Sequence, residues 1–221
     1  MRFLRVTDLQ SADNHAVPAY LFLPEAPRGG AAVVHGYGGC KEQMLGISAR
    51  LAEEGWAALA LDLRGHGEHP APLDEGVLQD LEAALHWLRR YARVVAVGHS
   101  LGGATLSAVA EADPALVRRL VYLTAFVPVA FQSVIEYLLQ PNFASSEVPP
   151  LFVADPASVG ASRINHNAAD AAYAAKDKSA FYHDVSDAAF PAIANLLTPD
   201  EPIQAFTTPV GATAARWGSV P

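Results

Sequence analysis

One cysteine, Cys40, is all that this 221-residue chain contains. That excludes an internal disulfide and any cysteine-rich metal site. Basic residues are also in short supply. Lys and Arg number 15 against 23 Asp and Glu, giving a formal charge of −8 with no cationic cluster. A nucleic-acid partner is argued against, because phosphates call for a basic face. No apolar run reaches the roughly 18 residues that mark a membrane span. The opening Met1-Arg2-Phe3-Leu4-Arg5-Val6-Thr7-Asp8 holds no apolar signal core. The expectation is a cytoplasmic protein with no membrane partner. Apolar residues are plentiful at 51%, enough to fill the core of one α/β domain.

Short apolar runs alternate with helical periodicity through the first 128 residues. Phe3 to Thr7 and Val17 to Leu23 read as strands, the second closed by Pro24 and Pro27. Ala31 to His35 and Trp56 to Leu63 read as apolar, buried strands apart from the terminal His35 and Asp62, as do Arg93 to Val97 and Arg119 to Thr124 apart from their leading arginines and the closing Thr124. Between them, Lys41 to Glu54 reads as helix with Met44, Ile47, Ser48 and Leu51 on one face and Gly55 as its stop. A second helix, capped by Asp74 and running to about Tyr91, carries the stripe Val77, Leu78, Leu81, Leu85 and Leu88. Strands buried on both faces and separated by helices mean a doubly wound, mostly parallel sheet. The loops His35–Gly39, Asp62–Gly67, Gly98–Gly102 and Ala125–Pro128 then gather at the carboxyl edge, where such folds bind ligands. Beyond Pro128 the chain is richer in Ala, Asn, Ser and Pro, with no clear buried strand. Helices are expected over Ala168–His183 and Ala188–Leu197, forming a cap over the strand ends.

Gly98-His99-Ser100-Leu101-Gly102 carries the chemistry. It joins an apolar strand to a small-residue helix, the context that gives a G-x-S-x-G match its meaning. Ser100 sits on a tight turn with its hydroxyl outward, and the helix N-terminus aims free N–H groups and a positive dipole end at the same spot. This is the arrangement of a serine nucleophile. The other candidates read more plainly. His66 and His69 have the spacing of a metal pair but lie in a Gly-rich turn, so neither a metal nor a cofactor is expected. His35 ends a buried strand and His99 packs beside the serine. Asp62 and Arg64 are expected to pair and organise their loop. Cys40 reads as a small buried hydrophobe. Gly36-Tyr37-Gly38-Gly39-Cys40-Lys41 lacks phosphate-loop spacing.

Three motifs in order, His35-Gly36-Tyr37-Gly38-Gly39, Asp62-Leu63-Arg64-Gly65-His66-Gly67 and Gly98-His99-Ser100-Leu101-Gly102-Gly103, resemble the α/β-hydrolase superfamily, as its serine esterases carry them. The tail segments Ala180–Val185, Asn195–Glu201 and Arg216–Pro221 are similar to the cap of the methylesterase and hydroxynitrile lyase branch. The resemblance implies a hydrolase core over 1–128, a helical cap over 129–218 and the start of a further core strand at 219–221. It implies Ser100 as nucleophile and the backbone N–H groups of Tyr37 and Leu101 as the oxyanion hole. In the family order Ser…Asp/Glu…His, the acid and the base follow strands that this sequence does not show, so it reads as truncated before the last strands. His166 and His183 are the histidines after the elbow that could substitute as base. The expected function is hydrolysis of a small carboxylic ester through an acyl-enzyme, impaired by the incomplete triad. A hydroxynitrile lyase-like acid/base enzyme and a non-catalytic binding scaffold remain open alternatives. A sheet edge left unpaired would favour a homo-dimer.

Overall fold

The computed structural model describes residues 1–221. Six strands form one sheet: β1 (Arg2–Val6), β2 (Ala19–Leu23), β3 (Gly29–Val34), β4 (Trp56–Leu61), β5 (Val94–His99) and β6 (Arg119–Leu123). Their spatial order is β1-β2-β4-β3-β5-β6. The β3–β4, β3–β5 and β5–β6 pairs are parallel, while β1 and β2 join antiparallel. Val34 stands opposite both Leu61 and Gly98, and His99 opposite Leu123. The turns that follow these strands therefore emerge at one edge of the sheet.

Helices α1 (Leu45–Glu53), α2 (Val77–Leu88) and α3 (Gly102–Ala112) cover the sheet. Alternation along β3 assigns the faces. Ala32 and Val34 enter the large cluster with Leu81, Leu85 and Leu88 of α2 and Leu106 of α3. Val33 turns to Met44 and Ile47 on the side of α1. The central strands are buried on both sides for this reason. No helix is long and apolar enough to cross a membrane.

The second half contains α4 (Val134–Leu138), α5 (Pro156–Val159), α6 (Ala171–Tyr182), α7 (Phe190–Ala194) and α8 (Gln204–Thr207). It also contains an antiparallel pair, β7 (Ala161–Arg163) with β8 (Asp200–Pro202). This pair corrects the expectation of no clear buried strand beyond Pro128, since Ala161, Ser162 and Glu201 are buried. Each strand is three residues long, too short to show alternation.

Other local readings change as well. The helix expected from Lys41 opens with a 3₁₀ turn over Lys41–Met44. Asp74 does not cap α2, whose N-cap is Gly76; its Oδ1 accepts the Gly76 N–H and an Arg64 N–H. β6 is not buried on both faces. It has β5 on one side only, and Val121 and Leu123 are 39% and 37% exposed.

Candidate active site

Ser100 lies between β5 and α3 with φ at +50°. A residue with a side chain in this left-handed region is strained and persists only when its surroundings fix it. Here they do. Ser100 C=O accepts the N–H groups of Gly103 and Phe126, each at 3.1 Å, and its own N–H donates to Leu123 O at 3.4 Å. Packing completes the restraint: a Cβ at Gly36 would stand 2.6 Å from Ser100 Cβ. The loop after β3 and the turn after β5 are thus in direct contact.

Tyr37 follows Gly36, and Leu101 follows Ser100. Neither backbone N–H makes a hydrogen bond within the protein. Both neighbour a half-exposed Ser100. Two amides without an intraprotein partner thus lie on the segments that flank the restrained serine.

The turn after β4 is held by two separate charge clusters. Asp62 accepts Lys41 N–H and Nζ, both at 2.7 Å, and the Glu68 N–H at 2.9 Å. Lys41 Nζ also meets Glu42 and Glu68, and, despite burial, Asp62 first and then these two carboxylates hold its ammonium charged. Arg64 instead bonds Asp80, Asp13 and Asp74. The expected Asp62–Arg64 pair does not form; each residue organises the loop with other partners.

The histidines divide according to what faces their nitrogens. His35 Nδ1 donates to Gly36 O, and Nε2 accepts from Leu63 N–H. Burial, then the neighbouring His66, pushes it down to about 3, so it is neutral. His66 faces two acceptors, Arg64 O at 3.1 Å and Glu201 Oε2 at 3.1 Å. Burial opposes its charge, but the Glu201 carboxylate outweighs burial and its pKa rises above the ordinary value. His69 Nδ1 accepts the Ala71 N–H, and Nε2 lies 3.4 Å from Asp80. Burial lowers the pKa of His99. Cys40 is buried, and burial pushes its thiol up to about 12, as befits an inert packing residue.

His183 is exposed at the end of α6. His166, only 5% exposed, places Nδ1 at 3.1 and 3.0 Å from the two oxygens of the fully buried Asp177, and its Nε2 has no partner. Of the two, only His166 has a carboxylate on one nitrogen and the other free. No hydrogen bond links either histidine to Ser100. Phe181 stands edge-on to His166 and stacks on Tyr37, with centroids 5.8 and 6.0 Å apart.

Sequence reasoning passed over Asp177 and Glu201 as site residues. Asp177 sits eleven residues from its histidine, and Glu201 is 163 residues from Gly38, whose N–H it accepts. No local spacing carries such pairings.

Residues 32–221 match the alpha/beta hydrolase family, and the chain belongs to it. Among individual proteins it is similar to probable esterase PIR7A of Oryza sativa subsp. indica and of subsp. japonica. Each is 38% identical over 102 residues, which is 44% of this chain and 39% of the rice protein. The chain thus spans well under half of these relatives. Among solved structures, the esterase Pf2001 of Pyrococcus furiosus aligns with TM-score 0.51 and 20% identity, over 67% of this chain and 62% of that one. DcsB, solved in complex with its substrate analogue, aligns with TM-score 0.53 and 17% identity, over 68% and 52%. At these identities the two structures share the fold alone.

Proposed function

We propose that this hydrolase acts on small carboxylic esters through an acyl-enzyme at Ser100. The observation that carries the reading is the positive φ of Ser100 at the strand–helix turn, beside the unused amides of Tyr37 and Leu101. Similarity to a probable esterase supports the substrate class. Ser100 Oγ would attack the ester carbonyl, and its proton would leave to a base. The tetrahedral oxyanion would accept the Tyr37 and Leu101 N–H groups, each worth about 3 kcal/mol to the transition state. Collapse would expel the alkoxide, which takes up the proton, and water would then release the acid.

As this chain, the reaction is proposed to be slow. A serine without its base loses on the order of 10⁶ in turnover, and no imidazole is hydrogen-bonded to Ser100. The His166–Asp177 pair has the arrangement of a base with its orienting carboxylate, but it is tied to the site only through aromatic contacts. We also propose the layout of a core over 1–128, a cap over 129–218 and the start of a further core strand at 219–221, although Ser219 itself closes a 3₁₀ turn over Trp217–Ser219. It is supported by the six-stranded sheet ending at Leu123 and by Leu120 N–H donating to Pro221 O at 2.9 Å. A cytoplasmic setting is consistent with the lone free thiol.

Hydrolysis of p-nitrophenyl acetate tests the reading. A low rate above background is expected, and Ser100→Ala should remove it. Equal rates in both proteins would sink the acyl-enzyme. Cyanide release from a cyanohydrin without ester cleavage would favour the lyase instead. His166→Gln is expected to leave the rate unchanged; a large loss would assign His166 as base.

A further inference from the structure

Buried polar groups outside the Ser100 turn converge on one rung of the β7–β8 pair. Ser162 stands opposite Glu201 across this pair, and both side chains are buried. Cross-strand partners present their side chains on the same face. Here that face grips two consecutive residues of the loop after β3. Tyr37 Oη donates to Ser162 O at 3.1 Å and accepts from Ser162 Oγ at 3.0 Å. Gly38 N–H donates to Glu201 Oε2 at 3.0 Å. Thr198, just before the strand, donates its N–H to Gly38 O at 2.8 Å. Gly38 itself has φ +55°, so the loop turns sharply where both sides of the residue are held.

We propose that Glu201, paired with His66, is a positioning residue that aims the Tyr37 N–H by clamping the adjacent Gly38. This rests on the proposed role of the Tyr37 amide in the oxyanion hole. Glu201 touches no reacting atom; it acts through the loop.

The charge pair gives the clamp its pH dependence. A carboxylate only 2% exposed requires a compensating charge. His66 supplies it, because both ring nitrogens face acceptors and both must donate. The other groups around His66 do not replace it. His35, 4.8 Å away ring to ring, is neutral. Asp62 is engaged by Lys41, and the Arg64 guanidinium is turned to Asp80, Asp13 and Asp74. With its folded pKa above the ordinary value near 6.5, His66 contributes fully below that value. The contribution is lost as pH rises through the folded pKa. Alkaline pH should therefore loosen the loop.

The test measures the rate of fluorophosphonate labelling against pH for the wild type, Glu201→Gln and Ser100→Ala. Glu201→Gln is expected to slow labelling by about 10–100-fold, since a misplacement of about 1 Å at the reacting geometry can cost on the order of 10²-fold. The alkaline fall should move to lower pH, with saturation by the probe unchanged. A wild-type rate and profile in Glu201→Gln, alongside an unlabelled Ser100→Ala, would overturn the clamp and leave the nucleophile standing. Labelling that survives Ser100→Ala, or none in the wild type, would defeat the nucleophile reading. Nuclear magnetic resonance titration of the wild-type protein decides the clamp without a variant. The Gly38 amide shift should follow the His66 imidazole with one midpoint above 6.5. Independent midpoints, or a Gly38 amide that does not titrate, would overturn it.

Discussion

A Cβ placed on Gly102 would meet His35 O at 2.5 Å and Val34 O at 3.2 Å, both backbone atoms. Backbone cannot step aside as a side-chain tip can, so this position admits only hydrogen. Gly102→Ala is expected to destabilise the fold by about 1–3 kcal/mol, the range for overpacking. It should also slow serine labelling, because the added methyl pushes β3 away from the turn. An unchanged urea midpoint would contradict this. Lys41 and Asp62 present the complementary case of buried charge. Their side chains are wholly inaccessible and 2.7 Å apart. Removing Lys41 leaves Asp62 buried without an opposite charge, which costs about 3–5 kcal/mol. Lys41→Met should show that loss in denaturant unfolding, and adding Asp62→Asn should recover part of it. Additive losses would contradict the coupling.

At the scale of elements, long periodic segments hold the fold. Leu81, Leu85 and Leu88 on α2 are all buried against the sheet. Leu85→Ala should cost about 2–5 kcal/mol by calorimetry or denaturant, the range for emptying a core leucine site; a loss below about 1 kcal/mol would show a looser core than described. These residues were legible in the sequence because a 3.6-residue stripe spans twelve positions. The strands β3 to β6 were legible for a related reason, their apolar runs, and β1 and β2 through partial alternation. The Ser100 turn was legible because glycine is forced where backbones approach. The β7–β8 pair was not legible, since three residues make no period and its buried members, Ser162 and Glu201, are polar. Burial of Glu201 follows from His66 and Gly38, which lie far away in sequence. Likewise, the sequence suggests a hydrogen-bonded pair of Asp62 and Arg64 within their loop. Their actual partners come from the 3₁₀ turn, the β1–β2 loop and α2, and only tertiary folding supplies these.

Over the whole molecule, the sheet ends in strands of different protection. At β6, Val121 and Leu123 remain over a third exposed, and one neighbouring bond, Leu120 N–H to Pro221 O, flanks the strand. Such an edge invites pairing with a second copy. We expect concentration-dependent dimerisation by light scattering, abolished by Val121→Lys with Leu123→Lys. A monomer at all concentrations would contradict the edge as an interface. His35, Lys41, Asp62, Arg64 and His66 are buried where the loops after β3 and β4 leave the sheet, and His66 there meets Glu201 of the later segments.

The most direct test of the account is site mapping of a fluorophosphonate adduct by mass spectrometry. The expected result is one phosphonyl group on the Ser100 peptide, formed slowly over prolonged exposure because no imidazole is bonded to the serine, and absent in Ser100→Ala. An adduct on any other residue, or an unmodified Ser100 in the folded protein, would contradict it.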